Sequence, residues 1–150
     1  MAALTVVWFG LSMAQTPDPN GLKPELVTLS GKVVELTDAL KPLNLVVDTG
    51  PIERQVVVQG EDGAITPLLL DDASRALFLD KRLRDRRVEI KAKRYPGLPY
   101  AQVVSLKIED HGKLRTPEYY CDICSITVRY SQICPCCQGP MVLRMKPEEP

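Results

Sequence analysis

Five cysteines fall between Cys121 and Cys137, in the stretch CDICSITVRYSQICPCC, and the rest of the 150-residue chain has none. Cys121-x-x-Cys124 and Cys134-x-x-Cys137 each have the gap at which a tight turn aims two sulfurs at one ion. Two such pairs are the expected ligand set of a tetrahedral thiolate site of the kind that holds structural zinc. Nine residues, Ser125 to Ile133, separate the pairs, fewer than the roughly 15–20 of the common spacing. The expectation is a compact Zn2+ knuckle on Cys121, Cys124, Cys134 and Cys137. Cys136 is left over as an additional thiol: a free group, a replacement ligand or a group behind the ligands. Between the pairs, SITVRYSQI can form a short hairpin that brings them together.

The second pair resembles the Cys-Pro-x-Cys knuckle of zinc ribbons and rubredoxin-like sites, although Gly139 stands one position later than usual, behind Gln138. Three rival readings stay open. Iron is held by the same four thiolates in other proteins. Disulfides form in oxidising compartments, and four cysteines allow three pairings. A thiol-redox centre is suggested by Cys134-Pro135-Cys136-Cys137, which looks like the glutaredoxin pattern. That chemistry needs its first cysteine at a helix N-terminus, and Gln138-Gly139-Pro140 disfavours a helix there.

Other catalytic apparatus is not evident. No hydrolase elbow, phosphate loop or HExxH is present. The acidic pairs Glu61-Asp62, Asp71-Asp72 and Glu109-Asp110 fall at turns or element ends, where capping and solvated roles are common. The single histidine, His111, falls in the turn-like EDHGKL, and a part for it as a fifth metal ligand rests on nothing but its residue type. The expectation is a protein that is not an enzyme.

The elements that must carry the cysteines read as mainly β. ELVTLSGKVVEL alternates and is rich in β-branched residues, with Gly31 as a bend. RQVVVQ and AITPLLL flank the turn GEDG at 60–63 as a hairpin. LNLVV reads as a short strand. DDASRALFLDKRLRD changes to helical spacing, with Asp71 or Asp72 as N-cap. RRVEIKAKRY and YAQVVSLKIED are strands joined by the turn PGLP. Five short strands with one helix after the third is the layout of the OB barrel. The domain reading is a signal peptide over 1–14, a linker over 15–25, an OB-like β-barrel over 26–112, a four-cysteine zinc-knuckle or ribbon-like appendage over 116–145, and a disordered tail over 146–150.

MAALTVVWFGLSMA is uncharged and apolar but shorter than the about 20 residues of a membrane-spanning helix. Ser12 and Ala14 put small residues at −3 and −1 of a cleavage after Ala14, as in a secretory signal, though no basic residue precedes the apolar run. The expected location is periplasmic or secreted, with no transmembrane span after signal removal, or cytoplasmic if the segment is not a signal. Nineteen basic and nineteen acidic residues cancel overall, so net charge predicts no polyanionic partner. Residues 15–80 carry 5 basic and 11 acidic side chains and residues 81–115 carry 11 and 4. Arg86, Arg87, Lys91 and Lys93 are the candidate polyanion face. Stacking aromatics for nucleic acid are scarce, with Phe78, Tyr95 and Tyr100 the only ones nearby, so the expected partner is a protein of unknown identity.

The run TPEYYCDICSITVRYSQICPCCQGPMVLRM resembles the C-terminus of a group of uncharacterised exported bacterial proteins, planctomycete-like in source. Their endings read Tyr-x-Cys-x-x-Cys, a short spacer, then Cys-Pro-Cys-Cys-Gln-Gly-Pro-Met. Residues 117–145 carry the resemblance. It implies only that the three-cysteine form, Cys136 included, is a pattern of the group. It implies no reaction. Thiol-redox or metal-handling work in the cell envelope, and nucleic-acid binding by the OB-like segment, are the alternatives to an exported binding or assembly module.

Overall fold

Residues 23–147 are described by a computed structural model, which is mainly β and built from two antiparallel sheets. The signal segment, most of the linker and the last three residues of the tail lie outside the described residues. In the first sheet, β1 (Glu25–Glu35), β2 (Val56–Gly60), β3 (Ile65–Pro67), β4 (Arg87–Arg94), β5 (Ala101–Asp110) and β6 (Lys113–Arg115) are ordered β3-β2-β1-β4-β5-β6. The second sheet contains β7 (Pro117–Cys121), β8 (Ile126–Val128) and β9 (Val142–Met145), ordered β8-β7-β9. Two single-turn helices, α1 (Leu36–Leu40) and α2 (Arg75–Leu79), cover the connections.

β1 serves two neighbours: its first part pairs with β4 up to Lys32↔Arg87, and its last part pairs with β2 from Gly31↔Gly60. At the overlap Gly31 has φ 151, and a Cβ there would lie 2.1 Å from the carbonyl oxygen of Gln59. The close approach of β2 at this bend therefore requires glycine. In β4, Val88, Ile90 and Ala92 point into the core while Arg87 and Lys91 point out, the alternation the sequence predicts. In β5 the alternation slips. Ala101, Val103, Leu106 and Ile108 are buried, and Val104 and Ser105 are both exposed. The register against β4 passes from Lys91↔Ser105 to Ala92↔Val103, so Val104 is the extra residue of a bulge and the strand bends there.

The first sheet does not close into a barrel by a continuous ladder. Past β3, Leu68 makes one isolated parallel bridge to Ala101, and the Leu69 N–H donates to the Ala101 carbonyl at 3.0 Å. Six strands stand where five were expected, because the type of turn at His111-Gly112, with φ 49 and 79, folds Lys113–Arg115 back onto β5. LNLVV is not a strand. Pro42 starts a 3-10 turn, Asn44 ends it in the left-handed region, and Leu43, Leu45 and Val46 are exposed. The helix expected over 71–85 breaks at Asp80, whose extended backbone separates α2 from a 3-10 turn at Lys81–Leu83. Asp71 still acts as a cap: its carboxylate accepts from the N–H groups of Ala73 and Ser74 at 3.1 Å each.

The proposed hairpin within SITVRYSQI also gives way. Only Ile126–Val128 is a strand, and it pairs back onto β7, because the first cysteine pair itself supplies the reversal. One residue, Thr116, separates β6 from β7. At the other end, Lys146 N–H donates to the Thr116 carbonyl at 2.8 Å, so the chain is tied down past the expected tail boundary.

Candidate metal centre

The two cysteine pairs fold into matching turns. In the first, Ser125 N–H donates to the Cys121 carbonyl at 2.8 Å, and Ser125 takes φ 54. In the second, Gln138 N–H donates to the Cys134 carbonyl at 2.9 Å, and Gln138 takes φ 58. The backbone N–H groups of Cys124 and Ile123 act electrostatically on the Cys121 sulfur, and those of Cys137 and Cys136 act on the Cys134 sulfur. The left-handed position that glycine usually fills is held by Ser125 and Gln138. That accounts for the displaced Gly139: its carbonyl instead accepts from Cys134 N–H at 2.9 Å and pins the start of the turn.

The strands bring the turns together. β7 ends on Cys121, β8 returns from the first turn, and β9 leaves the second and pairs with β7 on its other side. As a result the Sγ atoms of Cys121, Cys124, Cys134 and Cys137 all lie within 4.8 Å of one another. A regular tetrahedron with metal–sulfur bonds of about 2.3 Å has sulfurs ~3.8 Å apart, so the four are positioned to hold a metal ion. Cys121 and Cys137 sulfurs approach to 3.5 Å, and all five cysteines are free thiols. Cys121 and Cys134 are buried, Cys124 is half-buried, and Cys137 and Cys136 are exposed. His111 is 95% exposed at the β5–β6 turn and lies outside the sulfur cluster.

The electrostatics fit a site meant for a cation. The Cys137 backbone N–H, helped by that of Cys136 and opposed by burial, lowers the Cys134 thiol to about 6. Cys124 is pushed up, first by its hydrogen bond with the Cys136 thiol and then by burial and the thiols of Cys137 and Cys134. Cys121 feels the Cys124 N–H pulling it down, but burial and the thiols of Cys137 and Cys134 outweigh this and raise it. Sulfurs this close cannot all carry charge unaided, and a divalent ion is what would let all four ionise.

Tyr119 anchors the second sheet to the first, a role the sequence analysis missed. It is fully buried, sits opposite Val128 and Leu143, and belongs to the same core as Val33, Ile90 and Leu77. Its hydroxyl donates to Asp80 Oδ2 at 2.7 Å. Arg82 bonds the same carboxylate at 2.6 Å, and these contacts, Arg82 first, hold Asp80 down at about 2 against the opposing effect of burial. Arg75 of α2 stacks over the Tyr130 ring at 4.7 Å. On the β7–β9 pair, Arg144 bonds Glu118 at 2.8 Å and lies 3.5 Å over the Tyr120 ring. The signal for this docking was the YY dipeptide before Cys121, whose alternate members face opposite ways on a strand.

The candidate polyanion face is divided. Arg87 and Lys91 are exposed on β4, with Lys93 half-buried beside them and Glu89 between. Arg86 points elsewhere: it donates to the Glu109 carbonyl and meets Asp110 Oδ1 at 3.3 Å. Arg84 donates to Glu35 and to the carbonyls of Leu77 and Phe78. Phe78 packs against the core, and Tyr95 donates to Gln102 at 3.0 Å. Among the described residues no helix is long and apolar enough to cross a membrane.

Together these features define a mainly β chain with a four-thiolate candidate metal centre. Comparison with family models, with curated proteins and with solved structures finds no match.

Proposed function

We propose that this protein is an exported, non-enzymatic binding or assembly module in which a structural Zn2+ on Cys121, Cys124, Cys134 and Cys137 clamps together the two turns of a three-stranded sheet appended to an OB-like body. The observation that carries the reading is the convergence of four sulfurs within 4.8 Å from two turns of the same geometry. Zinc would supply folding free energy to a segment with little apolar core of its own. The OB-like description is supported by the pairing of β1 with both β2 and β4 and by the parallel contact of Leu68 with Ala101. Export is supported by the apolar run before Gln15 and by the resemblance of residues 117–145 to exported proteins.

A binding role is supported by two features of the surface. Leu43, Leu45 and Val46 are exposed on the segment between α1 and β2. Beside that segment lies a cleft of about 730 Å3 whose lining includes Leu70, Phe78, Leu79 and Arg54. Its walls mix these apolar residues with charged ones such as Glu35, Glu53 and Lys81, and clefts of this size that combine apolar and polar groups are common ligand or partner sites. Nucleic acid is disfavoured as the partner because Arg84 and Arg86 are committed to internal acceptors and the outward face of β4 offers no stacking ring. A redox role for Cys134 is disfavoured because, although backbone N–H groups lower its thiol, the residue is buried and no helix follows its turn to direct the thiol outward.

The test is elemental analysis of the purified full-length chain together with titration of its thiols. About one zinc per chain and four thiols shielded until a chelator is added are expected. A chain that binds no metal and has four oxidised cysteines would sink the reading.

A further inference from the structure

Between α1 and β2, Leu45-Val46-Val47 has the composition of a strand and none of a strand's bonds: among the described residues these three make no backbone hydrogen bond. The ends of the segment are fixed. The Asn44 N–H donates to the Lys41 carbonyl at 3.2 Å, and the Gly50 N–H donates to the Asp48 carboxylate at 3.1 Å. Val46 is 104% exposed, so aliphatic side chains and open backbone groups are held out together. The segment then runs into Pro51, Glu53 and Arg54 on the wall of the cleft of about 730 Å3, which Leu70 and Leu79 also line. At about 120 Å2 of apolar surface per fully exposed aliphatic side chain, Leu43, Leu45, Val46, Val47, Leu70 and Leu79 leave roughly 450 Å2 uncovered. That is more than half of the ~800 Å2 that each partner covers in a standard interface.

The charges on this wall favour one occupant. Lys81 and Arg84 are tied to Glu35. Glu53 and Arg54 are exposed and have no ion-pair partner among the described residues. A wall with one unpaired acid beside one unpaired base is complementary to itself: about a two-fold axis, each Glu53 meets Arg54 of the other copy. A strongly acidic or strongly basic partner would set one of the two against a like charge. The chain's formal net charge is +0 at pH 7, so two copies approach without long-range repulsion.

We propose that this face seats a second copy of the chain in a two-fold dimer, in which Leu45–Val47 and the cleft wall of one protomer cover those of its partner and the Glu53–Arg54 contact forms twice. The inference names the occupant of the surface on which the binding reading leans, and it rests on that reading.

Sedimentation velocity of the full chain tests this, with a reductant present so that no Cys136 crosslink contributes. A concentration series reaching ~100 μM is needed, since interfaces of modest size are weak. The wild type is expected to show a reversible monomer–dimer equilibrium. Val46→Asp, at a fully exposed position with no packing to lose, is expected to weaken dimerisation roughly a hundredfold or more, because both copies then bring a charge into an apolar contact. Glu53→Arg is expected to weaken it about tenfold, and Glu53→Arg/Arg54→Glu to restore it, as exchange of a reciprocal pair should. A wild type that is monomeric throughout the series, a dimer that Val46→Asp leaves intact, or a double exchange no tighter than the single one overturns the proposal. Metal content read on the same samples separates the two readings. A zinc-bearing monomer defeats this inference alone; a metal-free chain with four oxidised cysteines defeats the zinc reading whatever its oligomeric state.

Discussion

The bond from Tyr119 to Asp80 holds the cysteine-bearing sheet to the six-stranded one, and replacing Tyr119 by Phe tests that coupling. The ring would stay packed between Val128 and Leu143, so the change removes one hydroxyl. The lost bond is a 2.7 Å contact to a carboxylate that is 8% exposed. Hydrogen bonds to charged groups contribute about 1.5–3 kcal/mol. Asp80 keeps the Arg82 side chain and backbone N–H as donors, so it is not orphaned and the cost falls at the low end, about 1.5 kcal/mol. The depression of the Asp80 carboxyl to about 2 gives a consistent scale. It corresponds to about 2 kcal/mol shared among its partners, with Arg82 contributing first. Urea unfolding of the metal-loaded chain at neutral pH, followed by far-UV circular dichroism, measures the change. In a cycle with Asp80→Ala the two substitutions should couple by about 1–2 kcal/mol, because each alone strands part of the same bond. Additivity within about 0.5 kcal/mol would refute the claim that this pair fastens the two sheets.

Three further outcomes follow from single positions. The Asp80 carboxyl is lower in the folded chain than its ordinary 3.8, so its contribution is present above about pH 4 and is lost as pH falls through about 2; acid titration of stability should show this slope in the wild type and lack it in Asp80→Asn. Gly31→Ala should cost about 3 kcal/mol or more or prevent folding, since its Cβ would meet the Gln59 carbonyl at 2.1 Å and nothing flexible can yield; a melting temperature near that of the wild type would contradict the bend. Ser125→Gly and Gln138→Gly should each stabilise the chain by about 0.5–1 kcal/mol by relieving a left-handed residue, as read by thermal unfolding; destabilisation by either would mean that the side chain makes a contact outweighing the strain.

The legible parts of the sequence were those governed by local pattern. Val88, Ile90 and Ala92 alternate with charge and form the strand they predict, and Gly60 to Gly63 makes its turn. The cysteine spacing picked out the four sulfurs that converge because a Cys-x-x-Cys turn is a local object. The parts that could not be read depend on partners distant in sequence. LNLVV has strand composition but no neighbouring edge accepts it. The helix from Asp71 is cut short because Asp80 is drawn into an extended conformation that serves Arg82 close by and Tyr119 on the distant strand β7. The Val104 bulge is invisible until β4 is laid beside it. Arg86 looked like one of a basic row, and only the proximity of Asp110 shows that it is already engaged. Gln138 before Gly139 looked like a departure from a standard knuckle, yet the turn tolerates it because Gln138 accepts the left-handed conformation and Gly139 supplies a carbonyl.

The most direct test of the account is to count metal and thiols on one preparation of the full chain. About one zinc ion per chain is expected, with one thiol that reacts at once and four that react after the ion is chelated. A chain free of metal in which all five thiols react together, or in which four are already oxidised, would contradict it.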